Sequence, residues 1–231
     1  MAVNFAESRT KVNLMKAFAG ESQARNRYTF AAAKARKAGY AVLEQVFLFT
    51  ADQEKEHAEV FYNHLKELNG ESLEITGTFP VEVYEDVQEL LRAAQHDEYQ
   101  EHECVYAEFE RVAREEGFEQ VAGSFCMIKE IERIHGDRFG QFADMLEENR
   151  LYHSQERTHW MCLNCGFVHE GMEVPEKCPT CKHDQGYFVP LELAPFTTEM
   201  PVKVKLTDEC PDDSPEQFSG RSEGKSGGKT H

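Results

Sequence analysis

Residues 121–146 read VAGSFCMIKEIERIHGDRFGQFADML and contain the strongest structural signal of this chain. Apolar side chains recur there at helical spacing and predict a helix with one buried face. At the centre of that face stand Glu132 and His135, where apolar residues are expected. Burial of a charged side chain costs several kcal/mol unless the charge is paired or bound to a metal, so these two residues need a partner inside the fold. The apolar members of the face are Val121, Phe125, Ile128, Phe139, Phe142 and Leu146.

Three more segments show an apolar face that acidic residues interrupt. Gly39, Gly70 and Gly117 end helices, and about 14 residues around Gly77–Pro80 lack a helical period. Two short breaks and one long crossover predict an all-α, ferritin-like four-helix bundle. The predicted helices span residues 5–37, 41–68, 85–116 and 118–149. The polar residues on the first three buried faces are Glu21, then Glu54 and His57, then Glu98 and Glu101.

An internal repeat supports this division into two helical hairpins. RKAGY at residues 36–40 recurs as REEGF at residues 114–118, 78 positions later. The offset falls to 77 between Glu21 and Glu98, so the third helix holds one extra residue between its acid and its tyrosine. A one-residue insertion inside a helix usually forms a π-bulge, and we expect one near residues 101–106. The pairs that share the offset of 78 are Tyr28/Tyr106, Phe47/Phe125, Glu54/Glu132 and His57/His135.

The buried acids and imidazoles match the ligand pattern of a two-metal carboxylate site. Two Glu-x-x-His motifs, at residues 54–57 and 132–135, place both side chains on one helix face because their spacing is i,i+3. One glutamate from each of the other helices, Glu21 and Glu98, completes the di-iron or di-manganese pattern. Oxygen and imidazole ligands without thiolate favour iron or manganese over structural zinc.

A second metal site is indicated by two Cys-x-x-Cys motifs, which 12 residues separate. Two such motifs can hold a tetrahedral ion, and residues 160–190 are too few to bury a core without one. The spacing alone leaves zinc and iron open. The neighbouring bundle favours iron, which would make this module an electron donor, whereas zinc would make it a structural support. The four cysteines are Cys162, Cys165, Cys178 and Cys181.

Composition limits the class of protein. The chain has 231 residues, 42 acidic against 25 basic ones and a formal charge of −17, which argues against a nucleic-acid partner. It shows no signal-peptide pattern and no long apolar run, so we expect a soluble cytoplasmic protein without a membrane partner. The chain has seven cysteines, an odd number, and four of them form two Cys-x-x-Cys motifs. This pattern indicates metal binding in a reducing compartment.

The chain also divides by composition. Ser, Gly, Pro and charged residues dominate from Thr207 onward and predict a disordered tail. Cys104 and Cys126 lie beside core positions, and we expect both to be small buried hydrophobes. The predicted parts are the bundle at 1–150, a polar connector at 151–159, a small β/loop metal domain at 160–190 and an extension, partly disordered, at 191–231.

Several motifs must be considered together. They are Glu21, Glu54-x-x-His57, Glu98-x-x-Glu101, Glu132-x-x-His135, Trp160-x-Cys162-x-x-Cys165-Gly166 and Cys178-Pro179-x-Cys181. This combination resembles rubrerythrins, which join a ferritin-like di-iron bundle to a C-terminal rubredoxin-like domain. Glu101 is the most specific residue, because the general bundle pattern does not require it and rubrerythrins carry it. The resemblance runs from about Asn4 to Pro190, so the last 40 or so residues have no counterpart.

The resemblance implies a role for each site residue. Glu101 and His57 would exchange as ligands of one iron when its oxidation state changes. The four cysteines would hold a single iron. The remaining roles are bridging ligands for Glu54 and Glu132, terminal ligands for Glu21 and Glu98, and tyrosines beside the ligands for Tyr28 and Tyr106. For His135, the i,i+3 spacing itself predicts a terminal nitrogen ligand.

The implied activity is reduction of hydrogen peroxide to water in defence against oxidative stress. Two ferrous ions can give two electrons to an O–O bond, and an iron centre with four thiolate ligands can return them singly. The sequence has no GxGxxG motif, so a separate NAD(P)H-dependent reductase or a rubredoxin would supply the electrons. The family also implies a homodimer or larger assembly in which the thiolate iron of one subunit faces the di-iron site of another.

Two other functions stay open. The first is iron oxidation and storage, as in ferritins, which the thiolate module disfavours because mineral deposition needs no internal electron donor. The second is a structural or binding protein with zinc in both sites.

Overall fold

The computed structural model describes residues 3–196, in which a helical bundle precedes a small β-sheet. The predicted disordered tail lies outside these residues. The helices are α1 (Arg9–Lys37), α2 (Ala41–Asn63), α3 (Val87–Gln100), α4 (Tyr106–Glu116) and α5 (Glu119–Glu147), and a π-helical segment (Glu101–Val105) joins α3 to α4. The strands are β1 (His153–Cys162), β2 (Val168–Glu173) and β3 (Phe188–Pro190). Short 3-10 helices span Phe5–Glu7, Lys66–Leu68, Gln185–Tyr187 and Leu191–Leu193.

Local signals explain several helix boundaries. The Ser8 hydroxyl accepts a hydrogen bond from the Lys11 backbone N–H and caps α1. Asp86 caps α3 in the same way, and Gly117, with φ of 88°, ends α4 in the left-handed conformation. The second helix was predicted to reach residue 68, but α2 ends at Asn63. A turn and a 3-10 helix follow and still bury Leu65 and Leu68, so apolar spacing alone could not locate the end.

The helices pair as two antiparallel hairpins, α1 with α2 and the α3–α4 unit with α5, and the crossover at 64–86 connects them. Two apolar clusters fill the bundle. Phe47 and Phe139 pack at 5.3 Å between ring centroids in one cluster. Phe61 and Phe125 pack at 4.9 Å in the other. The polar buried residues lie on the same helices between these clusters. The predicted ferritin-like four-helix bundle with a long crossover is therefore confirmed.

The third helix contains the predicted π-bulge, at Glu101–Val105. The prediction that Cys104 and Cys126 are buried is wrong, because Cys104 is exposed and Cys126 only half-buried. The extra residue in the π turn rotates the helix, so that Tyr106 rather than its neighbours reaches the core.

The sheet has the order β2-β1-β3 and is antiparallel throughout. It lies against the end of the bundle where α1 turns into α2. Tyr152 stacks on Tyr40, with 6.4 Å between centroids and 9° between ring planes. A Cβ at Gly186 would lie 1.8 Å from the carbonyl oxygen of Gly39, so only glycine allows this approach. Within the described residues, no helix is both long and apolar enough to cross a membrane.

Candidate metal centres

The polar residues of the four helices meet in the middle of the bundle, between the two apolar clusters. Each lies on a helix whose neighbouring turns are anchored by buried aromatic and aliphatic side chains. Burial is nearly complete for most of the set: the exposed fractions are 0% for Glu21, 1% for Glu54, 7% for His57, 2% for Glu98, 0% for Glu132 and 0% for His135.

Glu54 and Glu132 each lie between the two imidazoles. One oxygen of Glu54 is 3.0 Å from Nδ1 of His57, and the other is 2.9 Å from Nδ1 of His135. The oxygens of Glu132 lie 3.1 Å and 3.0 Å from the same two nitrogens. A carboxylate with one oxygen toward each of two nitrogen ligands has the arrangement of a bridge between two ions.

The remaining carboxylates divide between the two imidazoles. An oxygen of Glu21 is 3.9 Å from Nδ1 of His57, and an oxygen of Glu98 is 3.8 Å from Nδ1 of His135. Glu101, from the π-helical segment, offers an oxygen within 4.8 Å of oxygens of Glu21 and Glu132. It therefore belongs to the half-site of His57, and it is half-buried. The structure thus brings together all seven predicted ligands.

The buried polar atoms of these residues show that the residues fit a pair of metal ions. Buried polar atoms without a hydrogen bond destabilise a protein by about 1–3 kcal/mol each. Although Nδ1 of His135 lies 2.9 Å from Glu54 Oε1, the geometry is not that of a hydrogen bond. Metal ions would satisfy these atoms together. The buried atoms without a hydrogen-bond partner in the described part of the chain include Glu21 Oε2, Glu54 Oε1, Glu98 Oε2, both oxygens of Glu132 and both ring nitrogens of His135.

Without metal, protons balance the charge of the site. Burial lowers the pKa values of His57 and His135, but the negative charge of the facing glutamates outweighs burial and raises these values to about 9 and about 12. Burial raises the pKa of Glu54, but the two imidazoles outweigh it and lower that pKa to about 2. Burial and neighbouring carboxylates raise the pKa values of Glu21 and Glu98 well above normal. Metal must therefore displace protons to bind.

Two tyrosines bind buried carboxylates across the bundle. The Tyr28 hydroxyl on α1 donates a hydrogen bond to Glu98 on α3. The Tyr106 hydroxyl on α4 donates to Glu21 on α1. Both tyrosines are buried, and burial, followed by the carboxylates, raises both pKa values well above normal. Both therefore stay protonated, and each orients a carboxylate on the opposite hairpin.

Sequence reasoning missed a charged cluster beside the site. The Arg27 guanidinium donates hydrogen bonds to Asp97 on α3 and, at 2.8 Å, to Glu82 in the crossover. It also lies 5.8 Å from the ring centroid of Tyr28. The only sequence signal was that Arg27 and Asp97 directly precede Tyr28 and Glu98. The crossover lacks any period, so its contacts could not be predicted.

The four predicted cysteines of the sheet module also come together. Sγ of Cys162 is 3.8 Å from that of Cys181, and Sγ of Cys165 is 3.7 Å from that of Cys178. The two motifs fold alike, because the carbonyls of Cys162 and Cys178 accept hydrogen bonds from the N–H groups of Gly166 and Lys182. A backbone N–H of His183 lowers the pKa of Cys181 to about 6, which favours the thiolate.

The bundle and its buried ligands define a ferritin-like di-iron carboxylate protein with a rubredoxin-like site of four cysteines. Comparison with known families makes this specific. The family model described as Rubrerythrin matches residues 12–143, and the one described as Rubrerythrin, rubredoxin-like domain matches residues 160–189. The chain belongs to the rubrerythrin family.

Relatives cover most of the chain. Rubrerythrin of Clostridium perfringens is 47% identical over 182 residues, which are 78% of this chain and 93% of the relative. Rubrerythrin of Nitratidesulfovibrio vulgaris is 43% identical over 181 residues, with the same coverage. Among solved structures, fully reduced, all-ferrous nigerythrin is 28% identical at a TM-score of 0.54, covering 80% of this chain and 91% of that one.

Proposed function

We propose that this protein is a non-haem di-iron peroxidase that reduces hydrogen peroxide to water. The observation that carries the proposal is the presence, in one chain, of a buried Glu/His site for two ions and a four-cysteine site. The first can hold two electrons and the second can pass them one at a time. The overall reaction consumes one peroxide, two electrons and two protons and yields two waters.

The ligand roles follow from the contacts. Glu54 and Glu132 would bridge the ions, since each faces both imidazoles. Glu21 and Glu98 would be terminal ligands, each fixed by a tyrosine from the other hairpin. When bound, two ferrous ions would supply the electron pair that cleaves the O–O bond. His135 would serve the half-site of Glu98.

Glu101 and His57 would compete for the same half-site. Both lie near Glu132 and Glu21, on opposite helices of the bundle. An anionic carboxylate suits a ferric ion, and a neutral imidazole suits a ferrous one. We therefore assign these two residues to the redox-dependent change of the site, as the family resemblance implies.

The separation of the two metal sites within one chain favours electron delivery from a second copy of the chain. The sheet module contacts the bundle at Gly39, whereas Glu54 lies 13 residues beyond Ala41, about 20 Å along the axis of α2. The four-cysteine site of one subunit would therefore serve the di-iron site of another in a homodimer or larger assembly. The original donor would be a rubredoxin or an NAD(P)H-dependent reductase, and the unbridged thiolates fit a reducing compartment such as the cytoplasm.

For function, we divide the chain into a catalytic bundle at 1–150, a connector at 151–159, an electron-transfer domain at 160–190 and an extension at 191–231.

The bundle alone would suffice for iron oxidation and storage, the second candidate function. The observation that favours iron storage is the group of three carboxylates, Glu21, Glu101 and Glu132, which resembles a site for hard cations because all its ligand atoms are oxygens.

Stopped-flow oxidation of the reduced, iron-loaded full chain tests the proposal. We expect hydrogen peroxide to oxidise the bundle site faster than O2 does, with two irons retained per bundle. Faster oxidation by O2, with iron accumulating beyond the two sites, would establish the storage function instead. A colourless protein that contains zinc and no iron after anaerobic purification would contradict both.

A further inference from the structure

A cavity of about 330 Å³ lies between α1, the third helix and the crossover. Its walls come from three parts of the chain that are distant in sequence. At its inner end it reaches Glu101 and Tyr106, two residues of the proposed site. The space is several times larger than a water molecule, whose share of liquid volume is about 30 Å³.

Glu101 is the point where this cavity meets the metal ligands. The carboxylates of Glu21, Glu54, Glu98 and Glu132 are at most 2% exposed, whereas Glu101 is half-buried. The site is therefore sealed on the sides that those four residues cover and is open where Glu101 stands.

Gly20 keeps the inner end of the cavity open. It lines the cavity on α1, and a Cβ built there would lie 3.8 Å from Glu101 Oε1. A methyl group would just contact the carboxylate, and any longer side chain would fill the passage beside it. Glycine weakens a helix interior by about 0.5–1 kcal/mol relative to alanine, and the open passage gives its presence here a structural reason.

The crossover forms the roof of the cavity through Thr76–Pro80. This segment has no regular secondary structure. Phe79 folds back over Gly77, whose added Cβ would lie 3.1 Å from the Phe79 ring, and Phe79 is 41% exposed. The roof is fixed at its far side by the ion pair between Glu82 and Arg27, which lies largely out of solvent. Phe79 thus stands at the rim, next to a firmly held segment.

From these observations we infer that this cavity is the port through which small oxidants reach the Glu101 side of the di-iron site. Gly20 sets its inner width and Phe79 its outer width. The inference rests on the proposed function for the identity of the oxidant, hydrogen peroxide or a small organic hydroperoxide, but the port itself can be tested without peroxide.

Azide binding to the oxidised, iron-loaded full chain tests the port. A narrowed passage slows entry and exit by the same factor and leaves Kd unchanged. We expect Gly20→Val to lower both the binding and the release rate constants of azide about tenfold. Phe79→Ala should raise both. The rate constants are read from the absorption change on mixing and on dilution.

Two matched variants serve as controls. Gly123→Val changes a helical glycine that has open space around it, and Val81→Ala changes an 89% exposed side chain of the same crossover. Iron content and the helical circular dichroism of every variant are measured first. If Gly20→Val fails to load iron, Phe79→Ala decides the question alone.

Each outcome separates the port from the function. Equal changes in both rate constants, absent in the controls, support the port. Unchanged rate constants in both variants, or a changed Kd with an unchanged binding rate constant, would overturn it. Slow oxidation of the unmodified protein by peroxide would contradict the proposed function and leave the azide result valid. In Gly20→Val, a larger loss of reactivity toward tert-butyl hydroperoxide than toward hydrogen peroxide would show that both oxidants enter through the port.

Discussion

Glu101 is the one site residue that the repeat does not duplicate. Its neighbours Glu98 and Tyr106 have partners in the first hairpin, Glu21 and Tyr28. Glu101 alone breaks the symmetry of the ligand set, and it lies at the half-site of His57. This asymmetry is the reason to expect that removal of Glu101 would affect the proposed peroxide turnover more than metal binding.

We expect Glu101→Ala to slow peroxide turnover about 10- to 100-fold while iron content stays close to two per bundle. The six other predicted ligands would still surround both ions, whereas the proposed exchange with His57 would be lost. Glu103→Ala is the control, because Glu103 is exposed in the same π-helical segment. Peroxide turnover and iron analysis of both variants give the answer. Loss of both irons from Glu101→Ala would show a structural ligand instead.

The pH dependence of stability follows from the pKa values of the metal-free site. The pKa of His57 is raised from 6.5 to about 9, so its contribution to folding is present below pH 6.5 and is lost as the pH rises through 9. The raised pKa values of Glu21 and Glu98 act in the same direction. Metal binds the deprotonated forms and is favoured as the pH rises.

We therefore expect the Tm difference between metal-loaded and metal-free protein to increase from pH 6.5 to pH 9. Thermal unfolding at constant ionic strength measures it. The variant His64→Gln is the control, since His64 lies outside the metal site and bonds Ser124. A difference that stays constant or decreases with pH would contradict the assignment of protons to the metal-free site.

At the level of helices and strands, sequence periodicity predicted the four-helix bundle and its π-helical segment. The π-helical segment was predicted from a single shift in the repeat offset, from 78 to 77, and it lies where the shift placed it. The burial of Cys104 and of Cys126 and the end of the second helix were not predicted correctly. The errors at Cys104 and at the helix end arise where the chain leaves α-helical geometry, because a period of 3.6 residues no longer describes which side chains face inward. Cys126 lies within the regular helix α5 and is half-buried.

Deletion of Cys104 tests whether the π-helical segment is needed. It would restore the spacing found in α1 and produce a continuous α-helix, in which Glu101 and Tyr106 cannot both keep their places. We expect the bundle to fold with peroxide turnover lowered about 10- to 100-fold, as for Glu101→Ala. The control is Cys104→Ala, which keeps the length. Equal peroxide turnover of the two variants would show that the π turn is not needed for the reaction.

In the molecule as a whole, the contact between the sheet module and the bundle could not be predicted. The four cysteines were found by their spacing, but the packing of Gly186 on Gly39 depends on backbone approach, which leaves no periodic pattern. The same holds for Arg27, Asp97 and Glu82, where an irregular crossover supplies one partner. Residues fixed by helical repetition were predictable, and residues fixed by irregular segments were not.

Gly186→Ala should weaken the contact between module and bundle. Its Cβ would lie 1.8 Å from the Gly39 carbonyl oxygen, so the backbone must shift. We expect a loss of about 1–3 kcal/mol in stability, seen as a lower Tm, with the four-cysteine site still able to bind iron. Gly123→Ala, at a glycine with open space, is the control. An unchanged Tm in Gly186→Ala would show that the two parts are not held together there.

The crossed hydrogen bonds of Tyr28 and Tyr106 have an implication for the ancestry of the fold. Each hairpin supplies the donor that orients the acid of the other, so neither hairpin makes a complete site by itself, although two identical hairpins would. A duplicated ancestral hairpin that paired with itself would have held two equivalent ions. One additional residue in the second copy would then make the two half-sites unequal, because it places the π-helical segment with Glu101 on one side only.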